Sequence, residues 1–192
     1  MPVTSQQISD SAGILLQDVS ATRWPAAERL AWINDGRRQM AELKPEIFGA
    51  DTEVTHTLTT GARQRLATTG ALRLVSVDSH GGNAVLPTMR QALDSFRPGW
   101  RDETARAVDN WFPDETDRLA FWIHPGSTGE LRCHVLLMPA DLTALSDVAL
   151  PFDIHKPHLI NYVCYRALAK EDEAASIEKA AAYLKLFIDG LS

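Results

Sequence analysis

Residues 157–170, PHLINYVCYRALAK, carry apolar side chains on nearly every side of a helical wheel: Leu159, Ile160, Tyr162, Val163, Cys164, Ala167 and Leu168. A helix on a protein surface keeps one polar stripe. One that is apolar all round is central in its fold or covered by a second chain. This stretch therefore sets the architecture, because other helices must be found to surround it.

They lie at the two ends of the sequence. Upstream, residues 5–18 place Ile8, Ala12, Leu15 and Val19 at helical spacing after Thr4 or Ser5 as an N-cap. A second helix starts at Pro25, with a buried stripe of Leu30, Ile33, Met40 and Leu43, flanking Trp24 and Trp32, and Lys44-Pro45 as its stop. Downstream, a last helix is expected from Asp172, with Ile177, Ala181, Leu184 and Ile188 on one face and Gly190 as its C′ residue.

Between the helices the period changes to two. Val54, His56 and Leu58 alternate with polar residues, and Leu72, Leu74, Val75 and Val77 switch face in the manner of a bulge. Residues 108–112, 119–123 and 131–137 complete four to six expected strands, separated by turn signals at Thr60-Gly61, Gly81-Gly82, Pro113-Asp114 and Pro125-Gly126. A short helix over 88–96 interrupts them. The expected fold is α+β and a single domain over 1–192. Helices in 5–45 and 154–190 form a bundle, and an antiparallel sheet or sandwich over 52–140 is inserted between them.

With 192 residues, 45% of them hydrophobic, the chain can bury a core without disulfide or metal staples. No apolar run reaches membrane-helix length, and the polar first ten residues lack a signal peptide, so the protein is expected to be made and kept in the cytoplasm, with no membrane partner. Cys133 and Cys164 belong to no paired motif and read as buried apolar residues. The net charge of −6 argues against a nucleic-acid grip.

Chemistry is sparse. His155 and His158 are three apart with Asp153 beside them, the one metal-like pattern, but Pro157 intervenes and no third ligand has a telling spacing. The loop at His124–Gly129 lacks phosphate-loop spacing, and Asp114-Glu115-Thr116-Asp117 lacks the glycine and terminal glutamate of a calcium loop. Arg37-Arg38 and Arg63, Arg65, Arg73 are the only basic groupings, read first as solvated charge. Trp100, Trp111, Phe112, Phe121 and Trp122 make a dense aromatic set. Most fill a core, and Trp100, Trp111 or Trp122 is a candidate subunit or tail interface anchor. No catalytic residue, cofactor or enzyme motif is found.

Local runs in order carry a resemblance: residues 12–18 (AGILLQD), Thr22-Arg23-Trp24, 30–38 (LAWINDGRR), Leu43-Lys44-Pro45, 70–74 (GALRL), Pro98-Gly99-Trp100, 121–125 (FWIHP), 160–167 (INYVCYRA), Lys170-Glu171-Asp172 and 180–183 (AAAY). Across almost the whole chain the sequence resembles the head–tail adaptor proteins of tailed bacteriophages. The resemblance implies a structural virion protein at the neck. Its subunits would form a ring of twelve that joins the portal protein to a tail or nozzle protein, and double-stranded DNA would pass through without specific binding. It implies portal docking near Tyr183, Leu184, Phe187 and Ile188. The alternatives are a tail-completion or tail-terminator protein, a metal-dependent enzyme using His155, His158 and Asp153, and a nucleic-acid-binding module around Arg63, Arg65 and Arg73.

Overall fold

Thr4 and Gln7 start the first helix by a reciprocal cap. The Gln7 N–H donates to the Thr4 hydroxyl and the Thr4 N–H donates to the Gln7 carboxamide oxygen, at 3.3 and 3.0 Å. In this computed structural model, which describes residues 1–49, 51–170 and 177–191, the chain divides into two units. One joins Met1–Gly49 to Pro139–Ser192, and the other is Ala50–Met138. The class is α+β, as the periodicities require.

The first unit contains strand β1 (Val3–Thr4) and helices α1 (Ser5–Leu15) and α2 (Ala26–Leu43). The second contains β2 (Thr52–Thr57), β3 (Arg63–Arg65), β4 (Ala71–His80), β5 (Asn83–Ala84), β6 (Leu86–Pro87), α3 (Arg90–Phe96), β7 (Asn110–Pro113), β8 (Ala120–His124) and β9 (Glu130–Leu137). The chain then returns to the first unit as β10 (Val148–Leu150), α4 (Lys156–Ala169) and α5 (Ile177–Asp189). The expected helix start at Asp172 lies outside the described residues.

Helix α4 is central. Leu159, Tyr162, Val163, Cys164 and Ala167 are buried in one core with Ile8 and Ala12 of α1, Ile33 and Met40 of α2, and Phe187 of α5. No residue from His158 to Leu168 is fully exposed. The all-round apolar pattern is thus met within one chain.

Two expected stripes are displaced. On α2 the buried face is Arg29, Trp32, Ile33, Gly36, Arg37, Met40 and Ala41, while Leu43 is exposed. On α1, Leu15 and Val19 are exposed and the inner face is Ser5, Ile8, Ser9, Ala12 and Gly13. Small residues on α1 leave room that a guanidinium from α2 fills, so a stripe drawn from apolar residues alone misses the contact. Gly190 is also needed for a different reason. It is not among the positive-φ glycines; instead, a Cβ there would collide with the His158 ring.

In the second unit two four-stranded sheets, β2-β9-β4-β5 and β3-β8-β7-β6, share one core that includes Leu74, Val77, Leu131 and Cys133 from the first and Trp111, Phe121 and Ile123 from the second. All pairs are antiparallel except β6 with β7. Eight strands are described rather than four to six, because segments as short as β3, β5 and β6 show no periodicity. The switch of face in β4 is real. Three register shifts against β9 leave Leu74, Val77 and His80 buried at intervals of three.

Candidate functional site

The middle of α2, Asn34-Asp35-Gly36-Arg37-Arg38, is polar yet largely inward, and each residue has a partner. Asn34 reads both backbone groups of Leu142, donating to its oxygen at 3.0 Å and accepting its N–H at 2.9 Å. Arg37 donates to the carbonyls of Ala149 and Ala140 at 3.0 and 2.6 Å and lies over the Phe48 ring. Arg38 pairs with Asp35 and Asp141, and Asp35 also takes Arg166 of α4 at 2.7 Å. At Gly36 a Cβ would meet Leu159 and Tyr162 at 2.5 and 2.8 Å, so glycine sets the α2–α4 approach. Together these residues fasten the returning segment 139–150 to the bundle. The expectation that Arg37 is solvated is corrected: its guanidinium is buried and meets carbonyls that would otherwise lack donors.

A second polar knot ties α1 to α2. Arg29 donates to the Ser9 and Asp18 carbonyl oxygens and pairs with the Asp18 carboxylate at 2.7 Å. That carboxylate also accepts N–H groups from Thr22, Arg23 and Trp24. Burial pushes the Asp18 pKa up, but the backbone donors and Arg29 outweigh it and hold it at about 2. Gly13 is the small residue that admits Arg29, since a Cβ there would lie 2.6 Å from its Nη1.

Helix α5 is seated by Phe187, Ala180 and half-buried Tyr183 and Leu184, and Phe187 lies 5.0 Å from the Tyr162 ring. Its apolar arc is wider than the face it buries: Ile177 is 78% exposed and Ile188 45%. Among the residues expected to dock a partner, Phe187 is thus the anchor within the unit and Ile188 the one at the surface.

The aromatic set of the second unit is an interior. Trp100 is fully buried, edge-on to Phe112 at 5.5 Å and to Trp122 at 5.6 Å, and its indole N–H donates to Asp94. Trp111 is buried in the sandwich core. Trp122 is half-buried, stacked on Phe112, with its indole N–H on Asp114 and the Arg101 guanidinium 5.9 Å away.

The remaining motifs resolve into structure. His155 and His158 have ring centroids 6.0 Å apart, and burial lowers both pKa values, with Lys44 adding repulsion. No group of three potential ligands gathers among the described residues. Asp153 instead lies 3.6 Å from the N-terminal ammonium. The acidic run at 114–117 serves Arg63 and Arg65, which pair with Asp114 and Asp117 at 2.9 and 2.7 Å. Two of the three arginines read as a basic grouping are therefore paired with carboxylates, and Arg73 lies exposed on β4 in the other sheet. Burial pushes both thiols, Cys133 and Cys164, up to about 12.

Sequence reasoning missed Arg29 and Arg37 as buried groups. The available signal was their place among Ile33, Gly36 and Met40, opposite Ser9 and Gly13. A family model described as SU10 adaptor protein matches residues 3–192. No curated protein gives a significant match.

Proposed function

The chain belongs to the SU10 adaptor protein family, and from that premise we propose that it is the head–tail adaptor of a tailed phage. In this reading it is a virion component at the neck, made in the host cytoplasm, with a structural role and no cofactor. Copies form a ring, twelve in number, that joins the portal protein to a tail or nozzle protein around the channel through which double-stranded DNA leaves.

The observation that carries the reading is the apolar excess of α5. Its own unit uses Ala180, Tyr183, Leu184 and Phe187, and leaves Ile177 and Ile188 at the surface. We assign this face to the portal, with Tyr183, Leu184 and Phe187 holding the helix in place and Ile188 making contact. Burying two isoleucines contributes about 2–4 kcal/mol in all, enough to bias docking without forcing the free chain to aggregate. A contact through the aromatic set is made by Trp122, with Trp100 and Trp111 supporting it from the core.

The internal pairing of Arg63 and Arg65 supports passage of DNA without specific binding. The test is mass by light scattering of the purified chain, alone and with the portal from the same genome. About one adaptor per portal subunit is expected. A chain that stays monomeric and unbound at physiological salt rules the reading out.

A further inference from the structure

We infer that β2 is a docking edge for an extended strand donated by a different, tail-side protein, with an acidic side chain seated near Arg132. The inference rests on the adaptor reading, which assigns α5 to the portal and leaves the other unit for the next component.

Sheet edges attract foreign strands, and proteins blunt them with short length, proline, charge or bulges. The other edges of the two four-stranded sheets are blunted. β3 has three residues, two of them arginines; β5 has two; β6 has two, including Pro87. β4 is bulged, with three register shifts against β9; beyond it β5 covers Ser79 and His80, and the Leu74 N–H is taken by the Arg118 carbonyl. β2 has none of these devices. Its six residues, TEVTHT, run in unbroken register with β9 and include one charge, Glu53.

The direction of its backbone groups follows from one bond. Just past β2, the Leu58 N–H donates to the Gly129 oxygen at 2.8 Å, continuing the same register. Antiparallel pairs alternate, so Val54 and His56 bond to β9 while the N–H and C=O of Glu53, Thr55 and Thr57 point away from it. These six groups have no partner among the described residues.

Beside the edge, a cavity of about 530 Å³ opens on the solvent face, lined by Thr55, Ser79, Thr128, Glu130 and Arg132. Arg132 makes no ion pair among the described residues. Strand addition draws affinity from main-chain bonds and specificity from pockets for alternate side chains, and both parts are here.

The donor is not a neighbouring copy. A ring contact is heterologous and needs a second free edge of similar length on the same chain, and no described strand supplies one. Pairing of β2 with β2 is two-fold and closes a dimer rather than a ring.

The test uses the full chain as wild type and as Thr55→Pro. Residue 55 donates outward, so proline there leaves the β9 ladder whole. The melting temperature should be unchanged, heads should still carry the chain, and tail-bearing particles should fall by about tenfold or more. Hydrogen exchange at Glu53, Thr55 and Thr57 should slow by about 100-fold from free chain to tailed particle. Thr55→Pro heads that gain tails normally, or exchange that stays fast, overturn the edge and leave the adaptor reading intact. Wild-type chain missing from heads overturns both. A concentration-dependent dimer of free chain that Thr55→Pro abolishes overturns the choice of donor.

Discussion

The two units handle polar groups in opposite ways. In the helical unit Arg29 and Arg37 are buried and address backbone carbonyls, while apolar side chains of α5 are left outside. In the β unit aromatic residues fill the interior, the arginines Arg63 and Arg65 lie on the surface against carboxylates, and what is left outside is a strand edge. The difference separates two kinds of sticky surface, one of side chains and one of backbone, on two units of one small chain. It also says where substitution should hurt. Removing a buried guanidinium leaves a buried carboxylate or carbonyl short of a partner, whereas exposed pairs are nearly neutral.

The largest expected effect is therefore Arg29→Met, which removes a donor from the Ser9 and Asp18 carbonyls and leaves the buried Asp18 carboxylate without its cation. Denaturant unfolding should show a loss of about 3–5 kcal/mol. A loss below about 1 kcal/mol would break the contrast between the units. Gly36→Ala comes next, because its methyl group meets Leu159 and Tyr162. Overpacking should cost about 1–3 kcal/mol by the same measurement. Arg65→Ala, at the other extreme, removes the more exposed partner of a surface pair and should leave the melting midpoint of the β unit where it is.

Acid sharpens the same contrast. The Asp18 pKa, about 2 when folded, lies below its ordinary value near 4, so its contribution is present above about pH 4 and is lost as pH falls through 2. Asp18→Asn should flatten the acid limb of stability in the helical unit, followed by circular dichroism between pH 5 and 2 at roughly constant ionic strength. The thiols supply a smaller check. With both pushed up to about 12, neither Cys133 nor Cys164 should react with a disulfide reagent at neutral pH until the chain unfolds.

Much of this fold was legible because hydrophobic period reports burial directly. The all-round apolar face of α4 predicted a central helix, and the changed face at Leu74-Val75 predicted the bulged strand. The pattern failed where burial is polar. A reading that counts arginine as exposed cannot place Arg29 and Arg37 inside, and so shifts the α2 stripe toward Leu30 and Leu43. Short strands fix no period, so β3, β5 and β6 were invisible. The width of the α5 arc was visible, but which part of it the chain covers was not: Ile177 and Ile188 share the face with Leu184 and differ from it only in three dimensions.

The most direct measurement is a portal-binding titration of the wild-type chain, an Ile177→Asp/Ile188→Asp double variant and Thr55→Pro, all matched for melting temperature. Wild type and Thr55→Pro should bind stoichiometrically, and the double variant at least about tenfold more weakly. Equal binding by all three would contradict the assignment of α5 to the portal, and absence of binding by wild type would contradict the adaptor role itself.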